Sequence, residues 1–342
     1  MNKNSIFIVA PSSPAPAIEL ELGIEKLVSA GFEVQSNVPS PEDADRFFSG
    51  DDSSRFEKFI EAATDADSGV VWFSRGGYGA SRILPLLEDW SKSNPKPARK
   101  LLVGFSDATA LFDFVQSRWG WSVLHAPMPA TQGFHGLSNE EWQLLVALVR
   151  GDSSAANKLW GNLSGLEFHG AKSSFKAMLI GGNLSVYSNL IGTPYLNSVS
   201  GAVLFLEDVG EPLGRLDRMV RHVALSSAFK DSVAIAIGEF SQCRDSAPEV
   251  LAERPAGAGV IDSRKAFDGL RRKPLRVLVN EDEALKQTFQ EVADQASIPL
   301  ISGIPAGHGD RQHPLPLYAE YQFDPIVGTM VLSKWNWLDS SN

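Results

Sequence analysis

The sequence predicts an α/β protein with an N-terminal parallel-sheet domain and a smaller, β-rich C-terminal domain. Three observations carry that reading. Short apolar runs of strand length are each followed by a Gly-, Pro- or Ser-rich loop and then by a stretch of helical periodicity. This alternation repeats through the first 150 residues, as a parallel sheet covered on both faces requires. Beyond Gly170 the balance shifts toward strands.

Taken in order, Ser5 to Val9 reads as a buried strand and Pro11 to Pro16 as a loop. Leu20, Ile24, Leu27 and Val28 recur at helical spacing until Gly31 stops the helix, and Phe32 to Val34 resumes as a strand. A helix over Arg55 to Ala63, a strand over Gly69 to Phe73, a helix over Ala80 to Leu87 and a strand over Leu101 to Val103 follow, and a further helix starts at Asp107. Residues 1–150 form the expected first domain, of Rossmann or flavodoxin-like type. Residues 151–174, rich in Gly, Ser and Asn around Gly151 to Gly170, form the expected linker, and 175–342 the second domain. Its expected strands are Ala202 to Leu206, Ser232 to Ile237, Leu275 to Val279 and Ile298 to Ser302. Arg244 to Lys273, charged and weakly periodic, reads as a surface insertion.

The 342 residues, 43% hydrophobic and 21% charged, have ordinary globular composition and suit two cores. A net charge of −10 without any basic stripe argues against nucleic-acid binding. The lone Cys243 excludes an intrachain disulfide framework and reads as a small buried or partly buried thiol beside a strand. The N-terminal apolar run is too short for a signal peptide or a membrane span, so a cytoplasmic protein is expected.

Chemistry centres on Gly104-Phe105-Ser106-Asp107-Ala108. A strand turning sharply into a helix with Ser at the apex presents a nucleophilic hydroxyl beside the unpaired N–H groups of the helix start. Ser-Asp before a helix is equally an ordinary N-cap. Arg75-Gly76-Gly77-Tyr78-Gly79 also follows a strand, so both loops open on the crevice at the strands' carboxyl ends. It matches neither a Walker pattern nor GxGxxG, and its glycines suit backbone donors to a substrate oxygen.

Among six histidines, His308 in Gly307-His308-Gly309 follows a strand, in a loop flexible enough to bring an imidazole to the site or simply to turn. His125 follows an apolar run and either lines the pocket or serves as a hydrogen-bonded structural histidine. Glu207, Asp208 and Glu211 close a hydrophobic strand. Spacing alone does not choose between Glu207 and Asp208 as the acid orienting a histidine, and Asp208 and Glu211 also suit capping of the helix over Arg215 to Ala224. No metal-ligand spacing is present, and no cofactor is expected.

Together these segments resemble the LD-carboxypeptidase family of serine peptidases, which includes muramoyltetrapeptide carboxypeptidases and microcin C self-immunity peptidases. The match runs in order through Val9-Ala10-Pro11-Ser12-Ser13, Phe48-Ser49-Gly50-Asp51-Asp52 with Arg55, Arg75 to Gly79 with Arg82 and Leu84-Pro85, and Gly104 to Leu111. It continues through His125-Ala126-Pro127-Met128, Gly181-Gly182-Asn183-Leu184, Gly192-Thr193-Pro194-Tyr195, Leu206 to Pro212 and Gly307-His308-Gly309. The resemblance implies Ser106 as nucleophile, His308 as general base and acid, and Glu207 as the orienting acid. It puts the oxyanion hole on the N–H of Asp107 and of Gly76 or Gly77. It also implies a site formed across the two domains. Two departures stand out: Arg244 to Lys273 is longer than the family leads one to expect, and His313 offers a second histidine near His308.

The implied activity is release of a C-terminal D-alanine from an L,D-peptide bond in recycled murein tetrapeptides. A terminal carboxylate calls for a cation, and Arg75 is the candidate by position, with a structural salt bridge as its equal alternative. The alternatives are an immunity-type peptidase or amidase acting on aminoacyl-nucleotide or other acyl-amino-acid conjugates, and a non-catalytic binding protein in which Ser106 is only a cap. The expected partner is a small murein peptide, with no nucleic acid and no membrane, and the expected state is a homodimer.

Overall fold

A computed structural model describes residues 2–160, 163–197, 199–243, 249–251, 272–274 and 281–339. The first half runs β1 (Ser5–Val9), α1 (Ala17–Ser29), β2 (Glu33–Ser36), α2 (Asp52–Thr64), β3 (Val70–Phe73), α3 (Leu84–Ser93), β4 (Leu101–Gly104), α4 (Thr109–Phe114) and β5 (Ser122–His125). Three helices follow: α5 (Gln132–His135), α6 (Asn139–Arg150) and α7 (Ser153–Trp160). The second half runs β6 (Leu163–Ser164), β7 (Glu167–His169), β8 (Phe175–Asn183), α8 (Leu184–Leu190), β9 (Ala202–Val209), α9 (Leu213–Leu225) and β10 (Ala234–Ser241). It continues through β11 (Glu249–Leu251), β12 (Arg272–Pro274), α10 (Glu281–Ala296), β13 (Leu300–Ser302), β14 (Leu315–Leu317), β15 (Ala319–Asp324) and β16 (Thr329–Lys334).

The first sheet has the order β14-β5-β4-β3-β1-β2, parallel from β5 to β2. Every residue of β1, β3 and β4 is buried, as in strands covered by helices on both faces. The helix boundaries follow local chemistry. Asp51 caps α2 by accepting from Ser54 N–H, and Ser138 with Glu141 forms a capping box at the start of α6.

The second sheet has the order β6-β16-β15-β8-β9-β10-β13-β7. Its centre, β8-β9-β10-β13, is parallel, and antiparallel pairs flank it. The strands β6 and β7, from the Gly151 to Gly170 stretch, form its two edges. The chain then crosses back: β14 pairs antiparallel with β5 in the first sheet, and β15, one residue later, pairs with β8 in the second. Proline at position 316 is tolerated there because β14 is an edge strand.

The sequence-expected strand over Leu275 to Val279 lies outside the described residues, as does most of the Arg244 to Lys273 stretch, of which only the β11–β12 pair is described. Cys243 is buried just past β10, as expected. Among the described residues, no helix is long and apolar enough to cross a membrane.

Candidate active site

The nucleophile candidate sits where β4 ends. After the extended Phe105, the backbone of Ser106 turns to φ +60°, and a 3₁₀ turn over Ser106–Ala108 leads into α4. A non-glycine residue in the left-handed region costs roughly 1–3 kcal/mol and persists only where its surroundings hold it. Here the turn puts Ser106 on the wall of a cavity, and its hydroxyl caps no helix.

The loop after the neighbouring parallel strand β3 lies against it. A Cβ on Gly76 would stand 2.9 Å from both Cβ and Oγ of Ser106, so only glycine fits at that approach. Among the described residues, the N–H groups of Gly76, Gly77 and Asp107 have no acceptor. The Asp107 carboxylate holds the two loops together, accepting from Ser12 Oγ at 2.6 Å and from Ala80 N–H at 2.8 Å. Burial raises its pKa, and those hydrogen bonds oppose the rise.

The charged partners come from the second sheet. Glu207, near the end of β9, is fully buried, and its Oε2 lies 2.5 Å from Nδ1 of His308. Successive strand residues point to opposite faces, so Asp208 turns away from this pair. It accepts from Ser185 N–H and Oγ and from Asn183 Nδ2, and so serves the start of α8 rather than the following α9 that the sequence suggested.

His308 rides on the loop after β13. Gly307 bridges Glu239, Ser241 Oγ donates to the His308 carbonyl, and Gln312 N–H donates to Glu141 of α6. Gly307 stands at φ +124°, and a Cβ there would lie 2.8 Å from Glu207 Cβ and 2.9 Å from its Oε2, so the loop leaves no room for a side chain. Burial alone would lower the His308 imidazole, but the Glu207 charge and hydrogen bond outweigh it and hold the pKa above its ordinary value. Burial alone would raise Glu207, but the charge of His308, with help from His125, holds it well below the usual carboxylate range.

The two sides face one cavity of about 530 Å³, lined among others by Arg75, Gly76, Gly77, Ser106, His308 and Gln312. Among the described residues, no hydrogen bond joins Ser106 to His308, a looseness common before substrate binds. Among the described residues, Arg75 donates only to the Pro14 carbonyl and forms no ion pair, which leaves a cation facing the cavity. Among the described residues, no cluster of three or more His, Cys, Asp or Glu side chains could hold a metal ion.

Of the alternatives open in the sequence, His313 does not line the cavity, and burial lowers its pKa to about 4 against the opposing charge of Glu141. His125 does not line it either; it is buried behind the site. Sequence reasoning missed the positive φ of Ser106, the Asp107 tie to Ser12, and Gln312. Only Ser12, inside a recognisable loop motif, carried a signal.

Comparison with known proteins bears on the fold and the family. Sequence models of the LD-carboxypeptidase N-terminal and C-terminal domains match residues 6–126 and 176–323, together well over half of the chain. The murein tetrapeptide carboxypeptidase of Pseudomonas aeruginosa is 28% identical over 320 residues, covering 91% of this chain and 90% of that protein. A crystal structure of the muramoyltetrapeptide carboxypeptidase from Oxalobacter formigenes superposes with a TM-score of 0.70 at 25% identity, covering 95% of this chain and 97% of that one. The microcin C7 self-immunity protein, solved in complex with aspartyl sulfamoyl adenosine, has the same fold, with a TM-score of 0.70 at 19% identity over 98% of this chain and 97% of that one. Fold and relatives together define a peptidase. The chain belongs to the LD-carboxypeptidase family.

Proposed function

We propose that this chain is a serine carboxypeptidase that cleaves the L,D-peptide bond to the C-terminal D-alanine of murein tetrapeptides, in the cytoplasm and as a homodimer. The observation that carries the reading is the buried 2.5 Å Glu207–His308 pair facing the same cavity as the strained Ser106.

In this mechanism, Ser106 Oγ attacks the scissile carbonyl while His308 Nε2 takes its proton, and Glu207 keeps the other proton on Nδ1 and stabilises the imidazolium. The N–H of Asp107 and of Gly76 or Gly77 receive the oxyanion. Collapse expels D-alanine, which takes the proton from His308. A water activated by the same imidazole then hydrolyses the acyl-enzyme. Arg75 pairs with the substrate's terminal carboxylate, since no protein carboxylate among the described residues occupies it.

The decisive experiment is incubation with a murein tetrapeptide and mass spectrometry for loss of one alanine, with Ser106→Ala as the control. An inactive wild-type enzyme overturns the substrate. The competing aminoacyl-nucleotide conjugate calls for an aromatic face to stack a base. Among the described residues, no Trp or Tyr lines the cavity, and Phe105 already packs on His308 with ring centroids 4.5 Å apart.

A further inference from the structure

His125 ends β5, the strand beside the one that delivers Ser106, and stands opposite Gly104 in the parallel register. It is only 2% exposed. Its Nε2 faces Glu207 Oε1 at 3.6 Å, so the Glu207 carboxylate lies between two imidazoles, with Oε2 toward His308 and Oε1 toward His125. Neither His125 Nε2 nor Glu207 Oε1 has a hydrogen-bond partner elsewhere among the described residues. A buried carboxylate oxygen without a donor is costly, and these two orphan atoms need close by only a few tenths of an ångström to satisfy each other.

The ring of His125 is also held in place. Phe105 and Phe205 pack against it edge-on, with centroids at 5.5 and 5.4 Å, and Leu315 of β14 pairs with it across the sheet. The contact joins the two halves of the site. Glu207 belongs to the second sheet, while His125 and Ser106 leave the same edge of the first.

We propose that His125 is a positioning residue which, by donating its Nε2–H to Glu207 Oε1, locks the orienting carboxylate of the second sheet in register with the nucleophile's strand in the first. The proposal rests on the roles given above to Ser106, His308 and Glu207. A histidine that merely filled the core would need no donor at Nε2, and this difference is testable.

His125→Phe keeps a ring against Phe105 and Phe205 but removes the donor. His125→Gln places an amide N–H close to where Nε2–H stood. His125→Leu replaces the Phe variant should that one fail to fold. Three readouts apply: kcat and KM on a murein tetrapeptide, the rate at which a fluorophosphonate probe labels Ser106, and the low-field proton resonance of the His308 Nδ1–H bonded to Glu207. For the donorless variant, kcat and labelling should fall about 10- to 100-fold with KM within about twofold, the scale of one hydrogen bond to a charged group. The resonance should move, and His125→Gln should recover most of all three. A folded donorless variant with wild-type kcat, labelling and resonance overturns the proposal, as does a His125→Gln enzyme no better than the donorless one. If the wild-type protein neither cleaves the peptide nor reacts with the probe, the roles given to Ser106 and the substrate fall, and the resonance alone decides for or against His125.

Discussion

The two sheet edges that meet at the cavity contribute by different physics. The first supplies backbone: a Ser106 twisted to φ +60°, a Gly76 with room for no side chain, and N–H groups without acceptors among the described residues. The second supplies buried charge, a fully enclosed Glu207 against a mostly enclosed His308. A site built on backbone shape stores strain that its functional side chain does not relieve. A site built on buried charge has its protonation tied to its geometry. Substitutions on the first edge should therefore separate activity from stability, whereas those on the second should couple activity to pH.

The sharpest break falls at Ser106. Ser106→Ala should lose turnover on the order of 10⁶-fold, since members of such a unit fail together, with little change in melting temperature. Ser106→Gly should be equally inactive yet about 1 kcal/mol more stable than Ser106→Ala, because glycine carries no penalty at φ +60°. Thermal melts of both variants check this. If the two are equally stable, the strained turn is not what the backbone edge stores.

On the charged edge, Glu207→Gln should cut kcat roughly 10⁴-fold through loss of the correct imidazole tautomer, with KM nearly unchanged. Its neighbour Asp208 provides the contrast. Asp208→Asn should keep turnover within a few-fold of wild type while losing about 1–2 kcal/mol, since its partners belong to the first turn of α8. An inactive Asp208→Asn beside a near-normal Glu207→Gln would reverse the assignment.

The same contrast explains what was legible in the sequence. The alternating strands and helices of the first half could be read because each fully buried strand is a continuous apolar run, as Leu101 to Val103 shows. Ser122–His125 escaped because its apolar run is only Val123-Leu124, and Leu315–Leu317 because it is three residues long and contains a proline that only its edge position allows. Ser106, Glu207 and His308 were reachable as residues, the last two through ordered motifs. Spacing could not separate Glu207 from Asp208, because that choice depends on which face of β9 meets a loop about a hundred residues away. Nor could it show His125 reaching Glu207, a contact between two sheets.

The coupling of charge to geometry also gives a pH test. His308 must be neutral to act as base, and Glu207 raises its pKa. The acid limb of kcat/KM, which reports the free enzyme, should therefore lie above the ordinary histidine value of about 6.5. In Glu207→Gln the residual activity should show that limb at lower pH. A limb at or below 6.5 in the wild-type enzyme would mean that the pair does not govern the base.

The smallest effect belongs to His313, which sits near His308 in sequence but does not line the cavity. Burial lowers its pKa to about 4, against about 6.5 in the unfolded chain, so the unfolded state takes up the proton first. The stability contributed by the neutral ring is complete above about pH 6.5 and is lost progressively as pH falls toward about 4. Because the side chain is partly open to solvent, the loss should be about 1 kcal/mol, or about 2 °C in melting temperature. His313→Gln should accordingly show a smaller drop in melting temperature between pH 7.5 and 4.5 than the wild-type protein, with turnover at pH 7.5 within about twofold. His308→Gln should do the opposite, abolishing turnover. If instead His313→Gln is inactive at pH 7.5 and His308→Gln is not, the base of this site is the other histidine, and the buried Glu207–His308 pair only holds the loop to the sheet.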